Sequence, residues 1–366
     1  MRRFFWLTIF SFLALSHAGA NAQEPCLQAS IACTEWVTLD EQGQRGLIYR
    51  THPLAQKNEL IEHAVIVIHG QGRNADGYFR HGLAGAFLAD ALKNTLLVSP
   101  RFASNEGKDC RDKLDTNEVG WICLGPESWR NGGAQATPAA KNLQSFDFMD
   151  ALLLKLSDKA IFPNLRTLVI AGHSAGGQLV NRYQMVNPLH EKLTAERNIQ
   201  ISYVVANPSS YTYPGALRPT RAAVPSNIAA AAPGYLAPVS DAKDQKAFVP
   251  FSDAAGCITF NRWPYGLEHK VGYASQISDD LLKQQLVKRP ATFLLGELDI
   301  LPLYGFDSSC AAMAQGPTRL ARGFAYTKFL TDTLKANHQS VMVPACGHDA
   351  RCMFSAETAL PHLFVK

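Results

Sequence analysis

The chain has 366 residues, of which 47% are hydrophobic and 18% are charged, and its formal net charge is +4 at pH 7. This composition is typical of a globular protein with a sizeable core, and it excludes a disordered chain. Because the net charge is small and no basic stripe is present, the sequence does not indicate a nucleic acid or an anionic membrane surface as a partner.

The first 22 residues have the pattern of a signal peptide. Arg2 and Arg3 precede an apolar stretch over 4–15 that is too short to span a bilayer, and Ala20-Asn21-Ala22 has the small-x-small pattern of a cleavage site. We therefore expect export to a periplasm or to the medium, with a mature chain that begins near Gln23. A short membrane anchor is the alternative. No later segment is apolar enough to predict a span.

Eight cysteines lie beyond this leader. An even number of cysteines in an exported chain predicts disulfides, although eight cysteines allow 105 pairings. Short separations favour three pairs and leave a fourth: Cys26–Cys33, Cys110–Cys123, Cys346–Cys352 and then Cys257–Cys310. Free buried thiols are the alternative.

From residue 34 onward, strand-like and helix-like segments alternate along the chain. The predicted strands are 34–39 and 46–50, which we expect to be an antiparallel pair, followed by 63–68, 95–100, 165–171, 201–206, 291–295 and 340–343. The predicted helices are 75–93, 145–156, one after residue 174, 318–335 and 356–364. This alternation predicts an α/β fold with a mostly parallel central sheet and helices on both faces.

Two stretches interrupt the alternation, 103–142 and 209–289, and loops of this length are usually functional. We interpret 209–289 as a cap inserted into a single catalytic domain, 23–366; a surface embellishment is the alternative. Aromatic residues in the two stretches either face the site, and then favour an apolar or aromatic acyl group, or pack the cap against the body. They are Trp121, Trp129, Tyr211, Tyr213, Tyr235, Trp263 and Tyr265.

The stretch 172–177, Gly-His-Ser-Ala-Gly-Gly, is the clearest catalytic signal in the chain. It follows the predicted strand 165–171 and precedes a predicted helix, which is the context in which a Gly-x-Ser-x-Gly motif positions a nucleophile. Gly172 and Gly176 permit a sharp turn, because a Cβ at either position would collide with its surroundings. We therefore predict that Ser174 is a nucleophile.

A serine hydroxyl is a weak nucleophile near neutral pH and needs a base to take its proton. His348 directly follows the strand 340–343, so it lies in a loop at the carboxyl end of a late strand, where Ser174 also lies. His173 is inside the turn itself, and His69 ends a strand, where we expect it to shape a loop. His348 is therefore the predicted base.

The base in turn needs an acid to orient its ring. Asp299 lies in a loop at the end of a strand, between Ser174 and His348 in chain order, and would accept a hydrogen bond from the far nitrogen of that imidazole. Asp307 is the main alternative, and Glu297 and Asp349 are weaker ones.

The tetrahedral oxyanion of acyl transfer needs two N–H donors. One is expected to be the backbone N–H of Ala175, at the start of the helix after the nucleophile. The other is expected from the glycine-rich loop 69–72, with the Gln71 N–H as the first choice and the Gly72 N–H as the second. A turn that merely leaves the strand is the alternative for this loop.

The order of His69-Gly70, Ser174, Asp299 and His348 resembles the α/β-hydrolase superfamily over about residues 34–366. The motif at 172–177 is similar to nucleophile turns of secreted esterases and polyester depolymerases. Further segments resemble uncharacterised bacterial and fungal α/β-hydrolases: Asn207-Pro208-Ser209-Ser210-Tyr211, Trp263-Pro264-Tyr265-Gly266 and Gly347-His348-Asp349. The chain departs from lipases with a His-Gly-Gly oxyanion loop, because Gln71 stands at the third position.

These residues predict an exported serine hydrolase that cleaves carboxylic esters through an acyl-enzyme. No cofactor is expected, and the oligomeric state is left open. A serine peptidase or amidase with the same triad is one alternative, and a catalytically silent binding protein on this fold is another. Metal binding by Cys346, His348 and Cys352 is a further alternative, which an oxidising compartment disfavours.

Overall fold

The computed structural model describes residues 24–107, 109–139, 143–230, 236–237 and 246–365. The predicted signal peptide, residues 1–22, and Tyr235 lie outside the described residues. Within the described ranges, no helix combines the length and the apolar character that crossing a membrane would require.

A mostly parallel sheet of eight strands forms the centre of the molecule. Within the described residues, the strands are β1 Thr34–Thr38, β2 Arg45–Arg50, β3 His63–Ile68, β4 Thr95–Pro100, β5 Gly120–Trp121, β6 Gln135–Thr137, β7 Thr167–His173, β8 Gln200–Ala206, β9 Leu217–Pro219, β10 Phe248–Pro250, β11 Ala291–Gly296 and β12 Gln339–Val343. The central sheet has the order β1-β2-β4-β3-β7-β8-β11-β12. β1 and β2 are antiparallel, β2 is antiparallel to β4, and the remaining pairs are parallel.

Helices cover both faces of this sheet, as the alternation along the chain predicts. They are α1 Ala75–Leu88, α2 Ser145–Leu156, α3 Ala175–Val186, α4 His190–Arg197, α5 Ser226–Ala229, α6 Gly272–Ser275, α7 Asp279–Lys288, α8 Cys310–Met313, α9 Arg319–Asp332, α10 Ala350–Ser355 and α11 Leu360–Leu363. Short 3-10 helices occupy Ile31–Cys33, Trp129–Asn131 and Arg221–Ala223.

β3 shows how one strand serves two cores. All six of its residues are buried. Because successive side chains point to opposite faces of a sheet, Ile66 and Ile68 pack in a core with Leu152 of α2 and Leu179 of α3, whereas Val67 packs with α1, α10 and α11. The continuous apolar run that predicted a buried strand therefore reflects burial on both faces.

Helix boundaries are where the sequence was least informative. The predicted helix 75–93 ends at Leu88, and Asp90 beyond it adopts a left-handed conformation with φ 54°. The predicted closing helix 356–364 is wrong as a single element, because α10 ends at Ser355 and the next helix is only the short α11. The helices α4, α5, α6, α7 and α8 were not predicted.

The stretch 209–289 is not structureless. β9 and β10 pair antiparallel within it, and α5, α6 and α7 follow. The stretch 103–142 likewise contains the antiparallel pair β5 and β6. All four predicted cysteine pairs form disulfides: Cys26–Cys33, Cys110–Cys123, Cys257–Cys310 and Cys346–Cys352.

Candidate active site

The four loops that carry the predicted site residues meet at one edge of the sheet. The loop 69–72 follows β3, Ser174 follows β7, Asp299 lies three residues after β11 and His348 follows β12. Because these strands are parallel, their carboxyl ends lie on the same side, which is where open α/β sheets bind ligands.

Ser174 has an unusual backbone conformation, with φ 57° and ψ −119°. The sequence permits this turn because glycines stand where other residues would clash. A Cβ at Gly172 would lie 2.3 Å from the carbonyl oxygen of Gly176, and a Cβ at Gly176 would lie 2.4 Å from the carbonyl oxygen of Ile68. Such strain at one residue costs about 1–3 kcal/mol and persists only where the surroundings hold it, as at functional sites.

A hydrogen-bonded chain joins Ser174, His348 and Asp299. The distance from Ser174 Oγ to His348 Nε2 is 2.9 Å, and that from His348 Nδ1 to Asp299 Oδ2 is 2.8 Å. All three side chains are buried or nearly so. With a proton on Nδ1 donated to the carboxylate, Nε2 is left free to accept the serine proton, which is the arrangement of a nucleophile and its base.

The other candidate acids are engaged elsewhere. Asp307 Oδ2 accepts a hydrogen bond from the Tyr265 hydroxyl at 2.8 Å, Glu297 Oε2 accepts from the Ala345 N–H at 2.8 Å, and Asp349 caps α10. Among the described carboxylates, Asp299 is thus the one that the structure brings to the His348 ring.

Arg319 contacts the predicted acid Asp299, and sequence reasoning missed it. Its Nη1 lies 3.4 Å from Asp299 Oδ1, on the opposite side of the carboxylate from His348, and its Nε donates to Ser209 Oγ at 2.8 Å. Nη2 donates to the carbonyl oxygen of Leu303, which holds the loop after Asp299. Burial lowers the pKa of this guanidinium, and Asp299 opposes that shift. An arginine at the start of α9 gave no sequence signal of this role.

Asn207, at the end of β8, is a second residue that sequence reasoning missed. Its Oδ1 accepts from the Gly296 N–H at 2.8 Å, and its Nδ2 donates to the carbonyl oxygen of Gly347 at 3.2 Å. This one amide therefore ties the end of β11 to the loop that carries His348. The resemblance had marked the segment 207–211 without assigning it a role.

The loop around His348 is also braced covalently. The disulfide Cys346–Cys352 closes a short loop that contains the histidine. Because both sulfurs are bonded to each other, the alternative in which these cysteines and His348 hold a metal is wrong. No cluster of His, Cys, Asp or Glu suited to a metal ion occurs elsewhere in the described ranges.

The loop after β3 passes close to Ser174. A Cβ at Gly70 would lie 3.4 Å from Ser174 Cβ, so the backbone runs against that side chain. Gln71 and Gly72 form the tip of a turn closed by the Arg73 N–H and the Gly70 carbonyl at 3.1 Å. The Ala175 N–H lies at the first position of α3, where N–H groups have no partner within the helix. Gln71 and Ala175 remain the predicted oxyanion donors.

His69 shapes this loop. Its Nδ1 donates to the carbonyl oxygen of Gly70 at 2.8 Å, and its Nε2 accepts from the Phe102 N–H at 2.9 Å. Burial lowers the pKa of His69 to about 4, so the ring is neutral and can make both contacts at once. The His69 imidazole therefore links the loop 69–72 to the backbone at Phe102.

A cavity of about 820 Å³ opens beside these residues. Gln71, Gln178 and Ser209 connect it with the site, because Gln178 lies one helical turn beyond Ser174 and Ser209 contacts Arg319. Two of the aromatic residues from the interrupting stretches, Trp263 and Tyr265, line it. The others that the structure describes are buried in the core: Trp121, Trp129, Tyr211 and Tyr213.

No family model matches the chain, and no curated protein matches its sequence. Among solved structures, it is similar to a poly(3-hydroxybutyrate) depolymerase from Bordetella parapertussis, with 23% identity and a TM-score of 0.54 over 85% of this chain and 81% of that one. It is also similar to poly(aspartic acid) hydrolase-1 from Sphingomonas sp. KT-1, with 20% identity and a TM-score of 0.53 over 84% of this chain and 90% of that one. With these similarities and the sheet described above, the chain has the α/β-hydrolase fold.

Proposed function

We propose that the protein is a serine hydrolase that cleaves carboxylic esters. The observation that carries this proposal is the chain of hydrogen bonds from Ser174 Oγ through His348 to Asp299, at 2.9 and 2.8 Å, on a nucleophile with a strained backbone. The similarity in fold to a polyester depolymerase supports an ester as the substrate.

In the proposed reaction, Ser174 Oγ attacks the ester carbonyl while His348 Nε2 takes its proton. The N–H groups of Gln71 and Ala175 stabilise the oxyanion, and the imidazolium then returns the proton to the departing alcohol. In the second half, His348 activates a water that attacks the acyl-enzyme, and the carboxylic acid leaves as Ser174 regains its proton. Asp299 keeps the ring oriented and stabilises its positive charge throughout.

A fluorophosphonate probe and a set of nitrophenyl esters test this proposal. The wild-type protein should be labelled at Ser174 and should cleave the esters, whereas Ser174→Ala should do neither. Asp299→Asn should lower kcat by about 10⁴-fold, because the wrong histidine tautomer is then favoured. Asp307→Asn is the matched control and should have a far smaller effect. Loss of activity only with the Asp307 variant would reject the proposed acid.

Two other functions become outcomes of this experiment when nitroanilides are added to the substrates. Turnover of nitroanilides without turnover of esters would indicate a peptidase or amidase, the class to which poly(aspartic acid) hydrolase-1 draws attention. Absence of both labelling and turnover would indicate a silent binding protein on this fold. The complete set of Ser174, His348 and Asp299 argues against the latter.

We further propose that the protein is exported and that 209–289 forms a cap in a single catalytic domain, 23–366. Four disulfides support an oxidising compartment. Trp263 and Tyr265, which come from 209–289, line the cavity next to the site, and this supports the cap. Amino-terminal sequencing of the protein from the periplasm or medium should begin near Gln23.

A further inference from the structure

The cavity beside Ser174 is lined by a guanidinium that has few hydrogen-bond partners. Arg130 is half-buried and lines this cavity. Its Nη1 donates to the side-chain oxygen of Gln71, and this is the only hydrogen bond that its guanidinium makes to a described residue. A guanidinium carries five N–H donors, so four are left for a ligand within the described part of the chain.

A second arginine lies directly behind the first. Arg182, which is fully buried on α3, donates to the carbonyl oxygens of Arg130 and Pro264 and to Ser210 Oγ. All of these partners are neutral. Neither Arg182 nor Arg130 forms an ion pair with a described carboxylate. Burial lowers the pKa of both groups, as is usual for cations removed from water.

Two carboxylates, those of Glu127 and Asp307, also line this cavity. Neither is hydrogen-bonded to Arg130 among the described residues, and the charge that acts on Arg130 is that of Asp307. Asp307 raises the pKa of Arg130 through its charge, but its two oxygens accept hydrogen bonds from the Tyr265 hydroxyl and the Ser309 N–H. A buried cation without a paired anion, such as Arg182, is costly, and an anionic ligand in the cavity would offset part of that cost.

Arg130 is placed to act on a substrate of the neighbouring nucleophile. Its partner Gln71 is adjacent to Gly70, where a Cβ would lie 3.8 Å from Ser174 Oγ. Trp263 and Pro264 also line the cavity and give it an apolar wall. The cavity therefore offers a guanidinium and an apolar wall next to the predicted nucleophile.

We propose that Arg130 binds a carboxylate of the substrate, so that the preferred esters are those that carry a free carboxylate away from the scissile bond, such as half-esters of dicarboxylic acids. A guanidinium binds a carboxylate through two parallel, charge-assisted hydrogen bonds, which a neutral ester carbonyl cannot match. This inference rests on the proposed ester hydrolysis for its kinetic test and on the cavity alone for its binding test.

The kinetic test compares an anionic ester with a neutral one of similar length, 4-nitrophenyl hydrogen adipate and 4-nitrophenyl heptanoate. The readout is the ratio of their kcat/KM values, because a change at Arg130 also alters its contact with Gln71. Arg130→Gln should reduce this ratio by about ten- to a hundredfold, the effect of a lost hydrogen bond between charged groups. Arg130→Lys should recover part of it. A second pair, 4-carboxyphenyl butanoate and phenyl butanoate, places the carboxylate on the alcohol instead.

Arg166→Gln is the matched control, because it removes the same charge at the start of β7, at the opposite edge of the sheet. Arg166→Gln should leave the ratio of kcat/KM values unchanged. If it lowers the ratio as much as Arg130→Gln does, the effect is one of long-range electrostatics and the proposal is overturned. An unchanged ratio in Arg130→Gln with both substrate pairs would also overturn it. So would a loss seen only with Arg262→Gln, another arginine of the cavity wall.

The binding test separates this inference from the proposed reaction. Calorimetry should detect adipate binding to Ser174→Ala, and binding should be weakened at least tenfold when Arg130→Gln is added. If no ester is cleaved but this binding is found, ester hydrolysis fails and the carboxylate site stands. If neutral esters are cleaved but adipate does not bind, the carboxylate site fails and ester hydrolysis stands.

Discussion

At the scale of single residues, local chemistry made some positions predictable and not others. Ser174 was predictable because its glycines and flanking elements are contiguous in the sequence. Arg319 and Asn207 were not, because their roles arise from contacts with residues far away along the chain. A sequence motif predicts the local turn that it forms. The residues that contact a distant histidine or carboxylate can be identified only from the folded structure.

The backbone of Ser174 leads to a prediction about stability. Its φ of 57° and ψ of −119° are readily adopted by glycine and are strained for residues with a Cβ. Ser174→Gly should therefore have a free energy of unfolding about 1 kcal/mol higher than Ser174→Ala, after allowance for the greater entropy of unfolded glycine. Urea unfolding of the two inactive variants measures the difference.

Ala89 provides the control, because its φ of −83° is ordinary for any residue. Ala89→Gly should lower the free energy of unfolding, since glycine gains nothing there and loses more entropy on folding. If Ser174→Gly proves no more stable than Ser174→Ala, the turn is not strained in solution.

At the scale of elements, the sequence predicted buried strands better than short helices. The central strands were predictable because continuous apolar runs are needed where both faces are covered, as in β3 and β4. α5 and α6 are four residues long and too short to show a helical period. α7 carried a usable signal that was overlooked, with Ser278 as its N-cap and acidic residues in its first turn.

The disulfide at the His348 loop supports a prediction at this scale. Replacement of Cys346 and Cys352 by alanine should lower the free energy of unfolding by about 2 kcal/mol, because a short loop is no longer closed in the unfolded chain. If the proposed reaction operates, kcat/KM should also fall about tenfold, since the base is held less firmly.

Cys26–Cys33 offers a closely matched comparison, because it spans 7 residues where Cys346–Cys352 spans 6. Its removal should reduce stability by a similar amount, measured by urea unfolding, and leave kcat/KM unchanged. Equal kinetic losses in the two double variants would mean that the second disulfide has no special part in positioning His348.

At the scale of the whole molecule, the predicted site residues all lie at one edge of the sheet, where the parallel strands end. The rest of the sheet is covered by packed helices. Six parallel strands end at this edge, and four of them precede the predicted site residues. The stretches that interrupt the α/β alternation supply most of the cavity wall there. Most of the aromatic residues singled out in those stretches pack in the core instead of lining the cavity. The sequence could not distinguish these two places, because both burial and substrate contact favour large aromatic rings. The same packing buries several histidines, and these give the molecule a dependence on pH.

His52, His69 and His173 are all buried, and burial lowers the pKa of each, to about 4 for the first two. In the unfolded chain, histidine titrates near pH 6.5, so below that pH the unfolded state binds protons that the folded state does not. The free energy of unfolding should therefore decrease as the pH falls from 6.5 to 4. Asp150 and Glu118 act in the opposite direction, because burial raises the pKa of both, that of Asp150 to about 6. The histidines with a lowered pKa are more numerous, because burial has the same effect on His63, His81, His190, His338 and His362.

Thermal unfolding between pH 7 and 4.5 measures this dependence. Tm should fall steadily over this range, and His52→Gln should make the fall shallower by removing one of the groups responsible. Asp150→Asn should make it steeper, because the opposing carboxyl is lost. A Tm that is constant or rises as the pH decreases would contradict the expected balance, since it would mean that these histidines take up protons in the folded state as readily as in the unfolded chain.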